Sequence, residues 1–169
     1  MTVYLHCTFS VEIKNLKFMK IDELRMCRGR VIEKFVAIEQ FITELITRHY
    51  FGKENYDFTL NVLGDDQSNF GFKRNIFLHL FKPEKRFIDN LNNLNKIRNI
   101  FSHAPLTHKH NENEYFFRKV DSENPINMDL NPKNLSDEFD ETFPLVLTEF
   151  KKISENKGWP FEPNPILFT

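Results

Sequence analysis

The sequence predicts a mainly α-helical protein, a helical bundle with a small accessory antiparallel β element. Two stripes predict the helices. Val31, Phe35, Ile38, Ile42, Leu45 and Ile46 recur at spacings that fall on one helical face, and Phe87, Leu91, Leu94, Arg98 and Phe101 repeat the pattern further on. Strict alternation predicts a strand near the start: Val3, Leu5, Cys7, Phe9, Val11 and Ile13 are apolar, with mostly polar residues between them.

The composition fits one globular domain over residues 1–169. Its hydrophobic share is 40%, its charged share 28%, and 19 phenylalanines supply bulk for a core. A net charge of −1 exerts no global pull on nucleic acid, so any attraction to RNA must come from a local patch. Cys7 and Cys27 are too few for a disulfide framework or a zinc site. Met1 to Ile13 has no uninterrupted apolar core of the kind a secretory leader needs, and no run reaches membrane-spanning length. A cytoplasmic setting without membrane attachment is expected.

In order, the chain divides into a strand over 1–14, a helical core over 22–104, a loop and hairpin insertion over 105–134, a last helix over 135–156 and a tail over 157–169. The first helix runs from about Asp22 to Tyr50, and Gly52 ends it. Residues 52–69 read as a loop or short helix around the apolar piece Phe58 to Leu63. Phe70, Ile76, Phe77, Leu80 and Phe81 mark the next helix, with Asp66 or Ser68 as its cap. Pro83 and Glu84 suit the start of a further helix, proline at its first position. That helix should end at about His103, because Pro105 pushes Ala104 out of the helical region. Leu106 to Glu114 is polar and reads as loop. Tyr115 to Val120 and Ile126 to Leu130 read as strands joined by a turn at Asp121-Ser122-Glu123-Asn124, a hairpin placed to pair with the N-terminal strand. A last helix from about Ser136 to Asn156 points Phe139, Phe143, Val146, Phe150 and Ile153 inward, and Pro144 should bend it.

The oddities lie on the 83–103 helix. Arg98 puts a permanent charge on a packing face, and His103 puts an imidazole at a helix C-terminus. Glu39 also points toward the core side of its own helix. Each buried charge needs a partner, so the two are expected to meet, with Glu39 orienting the guanidinium. The simpler reading leaves Glu39 at the rim, in water.

Arg98-Asn99-Ile100-Phe101-Ser102-His103 resembles the R-x4-6-H signature of the HEPN superfamily, small helical domains many of which are metal-independent ribonucleases. Asn99 supplies the polar residue typical after the arginine. A near copy, Arg74-Asn75-Ile76-Phe77-Leu78-His79, precedes it, but His79 sits within an apolar run and reads as a buried structural histidine. The resemblance implies a bundle that dimerises, bringing two motifs together in a cleft that cuts RNA. It also implies a toxin or phage-defence role, an antitoxin or other partner protein, and no cofactor. The extended form R-x4-H-x-Y is not met, because Pro105 stands where the tyrosine would be.

RNA can be cut without metal by its own 2′-hydroxyl attacking the adjacent phosphate. The reaction needs an acid/base near neutrality and positive charge for the phosphorane. His103 suits acid/base work and Arg98 suits a clamp on phosphate. Asn99 would position substrate, Ser102 is a second donor, and Lys85, Arg86 and Lys96 would attract the RNA backbone. Residues five apart on a helix differ by about 140° in direction and about 7.5 Å in height. Either the helix end unwinds, or the working pair comes from two chains, and hence a homodimer is expected. Two other readings stand beside this one. Arg98 could be a carboxylate-paired core arginine in a catalytically inactive nucleotide-binding, RNA-binding or scaffold module. His108 and His110 with nearby acids could bind metal, although two histidines fall short of a ligand set.

Overall fold

The computed structural model describes residues 19–65, 68–109, 114–119 and 128–161. The elements in chain order are α1 (Ile21–Phe51), α2 (Tyr56–Phe58) running into a π-helical turn (Thr59–Leu63), α3 (Phe70–Phe81), α4 (Lys85–His103), β1 (Leu106–Lys109), β2 (Glu114–Lys119), β3 (Met128–Leu130) and α5 (Pro132–Asn156). The protein is mainly α with a small antiparallel sheet. The alternating segment over 1–14, the turn over 121–124, His110, Asp66 and the end of the tail lie outside the described residues.

Each boundary has a local cause. The α1 helix starts where Glu23 accepts the Lys20 N–H at 3.2 Å. It stops at Gly52, whose φ of 68° is left-handed and whose N–H reaches the Arg48 carbonyl at 2.8 Å. Asn69 caps α3 by accepting the Phe72 N–H at 3.1 Å, in place of the expected Asp66 or Ser68. That position is the one whose side chain reaches back over the first turn. Glu84 is the cap residue of α4, so Pro83 falls one step before the cap rather than at the helix's first position. The first-position proline is Pro132 of α5, behind the Asn131 cap, and it starts that helix earlier than the apolar stripe alone indicates.

The stripes pack as their spacing requires. Val31, Phe35, Ile38, Ile42, Leu45 and Ile46 of α1 are buried, as are Phe87, Leu91, Leu94, Ile97 and Phe101 of α4 and Phe139, Phe143, Val146 and Phe150 of α5. Phenylalanine does much of the filling: Phe150 packs against Phe41, Phe77 and Phe87 at 5.9, 5.6 and 5.3 Å between ring centres. Arg98 lies over Phe35 and Asn93 bonds to Glu138, while Phe87 meets Phe150. With Arg28 of α1 reaching Phe101, these contacts run α4 antiparallel to both α1 and α5. Asp140 ties α5 to α1 by accepting Arg30 at 3.0 Å and Lys34 at 3.1 Å.

The sheet has the order β1-β2-β3, with Leu106 opposite Phe117 and Phe117 opposite Leu130. The β2–β3 pairing is the expected hairpin, but residues 106–109, read from sequence as loop, form the other edge strand. Polarity misled that reading: β1 needs only one inward partner for the buried β2. Phe117 is that anchor, packed edge-on against Phe101 at 5.0 Å. The sheet thereby sits on the C-terminal end of α4.

Candidate functional site

The α4 helix remains regular to His103. Ala104 turns extended, with ψ of 136°, as the residue before proline must, and its N–H still reaches the Ile100 carbonyl at 2.9 Å. Arg28 of α1 donates its Nε–H to the Phe101 carbonyl, a cation set against the negative end of the helix dipole. The end of α4 is therefore held, not unwound.

His103 is exposed beside a cavity of about 600 Å³. Asn92, Asn95 with Lys96, Asn99 and His103 follow one another by three or four residues along one face of α4 and form its floor. Arg118 of β2 enters from the side, delivered by the bond from its backbone N–H to the Pro105 carbonyl at 3.0 Å. Among the described residues none of the lining side chains is a carboxylate. Neutral amides, one lysine, one arginine and one imidazole make a surface suited to an anion with hydrogen-bonding edges, such as a nucleotide.

Arg98 faces elsewhere. Its guanidinium lies 4.5 Å from the centre of the Phe35 ring and 6.0 Å from that of Phe70. Its Nε is buried with no hydrogen-bond partner, and the expected ion pair with Glu39 is not formed. Glu39 instead borders a separate groove of about 430 Å³ between α1 and the α2 turn, shared with Lys73. Glu39 follows Phe35 by one turn, about 6 Å further along α1, and borders that groove rather than the ring over which Arg98 lies. Stacking on an aromatic face returns about 0.5–2 kcal/mol. A buried N–H left unsatisfied costs about 1–3 kcal/mol. Packing alone does not account for arginine here.

Of the other sequence candidates, Asn99 and Lys96 join His103 in the cavity, and Ser102 is half-buried beside them on the helix. Lys85 pairs with Asp89 at 2.6 Å, and Arg86 lies among Glu84, Glu149 and Lys152. Both stand about 25 Å or more from His103, at the far end of α4. His79 is exposed, not buried, because the inward face of α3 is the one carrying Phe70 and Phe77. Arg118 is the cavity residue hardest to place from sequence; the basic pair Arg118-Lys119 is visible there, but only the pairing with β1 brings it to His103. Among the described residues no cluster of three or more His, Cys, Asp or Glu side chains is arranged to hold a metal ion, and no helix is long and apolar enough to cross a membrane.

No protein-family model, no curated protein and no solved structure matches this chain.

Proposed function

We propose that this chain is a metal-independent endoribonuclease of the HEPN type. His103 is the acid/base, Arg98 clamps the phosphate and its transition state, and Asn99 positions the substrate. Lys96 and Arg118 draw the RNA backbone into the cavity. One observation supports this most: an exposed imidazole, in a cavity that lysine, arginine and amides line without a carboxylate among the described residues, shares a helix with a guanidinium whose Nε lacks an acceptor. The regular end of α4 leaves the two roughly 140° apart around its axis, so the working site needs a second copy of the chain. By its resemblance to that family, such a dimer would act in a toxin or phage-defence role under the restraint of a partner protein.

The test is cleavage of single-stranded RNA in EDTA, with 2′,3′-cyclic phosphate ends on the products. His103→Ala and Arg98→Ala should each lower the rate by about 100-fold or more. Cleavage that dies in EDTA, or that survives His103→Ala, overturns the proposal. The same angular separation favours a second reading, a module that binds RNA without cutting it. That reading requires RNA retention with no turnover by the unaltered chain.

A further inference from the structure

Glu39 and Lys73 border one groove from two helices. Phe35 meets Phe70 at 4.8 Å and His49 meets Phe81 at 5.6 Å between ring centres, so α3 runs beside α1 in the same direction. Glu39 and Lys73 follow the first of those contacts by about 6 and about 4.5 Å along their helices, and so stand nearly level. Both side chains line the cavity of about 430 Å³, and both residues are half-buried. No ion pair joins them, and neither charged end has a partner among the described residues. The other two carboxylates of the lining, Glu44 and Glu54, are held by Arg48 at 2.8 and 3.3 Å. That clamp, with the Thr47 hydroxyl 3.2 Å from that of Thr59, pins the opposite wall to α1. The wall carries Tyr56, Leu60 and Leu63, and Val36 adds to it from α1; Tyr56 and Leu60 are 74% and 66% exposed.

We infer that this groove binds a free apolar amino acid, its ammonium on Glu39, its carboxylate on Lys73 and its side chain on the apolar wall. Each half-buried charge lacks the partner that would offset its lost hydration. A zwitterion supplies both partners at once. The cavity also falls in the range usual for small ligands, about 300–1,000 Å³, with apolar walls and a few fixed polar groups. Charge-assisted bonds at the two ends orient the ligand, and burial of its side chain adds affinity. The inference goes beyond the proposed function and does not rest on it, since the groove shares no lining residue with the His103 cavity.

The experiment is thermal unfolding of the full chain with L-leucine or L-phenylalanine. Three controls each lack one part: isocaproate the ammonium, isoamylamine the carboxylate, and glycine the side chain. At about 10 mM, one or both of the apolar amino acids should raise the Tm by about 3 °C, and each control by less than about 1 °C. Glu39→Gln and Lys73→Gln should each weaken binding of that amino acid about tenfold or more in titration calorimetry. Glu33→Gln, at an exposed position on α1, should leave it unchanged. If Glu39→Gln does not fold, Lys73→Gln and the controls on the unaltered chain decide. No increment from either apolar amino acid, an equal increment from any control, or binding undiminished in the Glu39 or Lys73 variant overturns the inference. A chain that cuts no RNA yet binds the amino acid through both charges keeps this site and loses only the ribonuclease reading; one that cuts RNA and ignores both amino acids loses only the site.

Discussion

Replacing Arg98 with leucine separates its contribution to the fold from its contribution to a ligand. Leucine would fill the space beside Phe35 and Phe70 and remove the unsatisfied Nε–H, so Arg98→Leu should leave stability unchanged or raise it by up to about 1 kcal/mol in urea unfolding. RNA cleavage and binding should fall together. His103→Ala should be silent in the same unfolding experiment, within about 0.5 kcal/mol, because the side chain is exposed and bonds to none of the described residues. A variant more stable but inert at Arg98, beside one equally stable but inert at His103, is the pattern expected of a site and not of a core.

At the scale of elements, two contacts hold the end of α4 in place. Arg28→Ala removes the donor to the Phe101 carbonyl and should cost about 1–2 kcal/mol. Phe117→Ala empties the contact with Phe101 and should cost about 3–5 kcal/mol, and the sheet should lose amide protection before the helices do. The elements differ in how far the sequence revealed them. The stripes of α1, α4 and α5 were legible because burial on one side of a helix writes a period that sequence preserves. The stop at His103 was legible because a proline imposes it. The β1 strand was not, since four residues paired to a buried neighbour need carry no pattern of their own. The Glu39–Arg98 pair failed for a related reason: periodicity fixes which face a residue shares but not the rotation of one helix against another.

For the whole molecule, a shared site makes a sharp prediction. Arg98→Ala and His103→Ala chains, each inactive alone, should recover activity when mixed and allowed to exchange, to roughly a quarter of the unaltered level, since half the dimers are mixed and each holds one intact site. Mass measurement in solution should show the dimer under the same conditions. No recovery, with exchange demonstrated, would confine the chemistry to one chain, where the α4 geometry opposes it.

The short link at Lys82-Pro83-Glu84 reverses the chain between α3 and α4, with Lys82 held at a φ of 45°. Reversal acts differently on the two ends of this near-repeated six-residue phrase. It sets Arg98 of the second phrase beside Phe70 at the start of α3, while the imidazole of the first phrase stays near the bend and that of the second is carried to the opposite pole. A chain that doubles back on itself in this way cannot seat both of these proton carriers at one phosphorus atom.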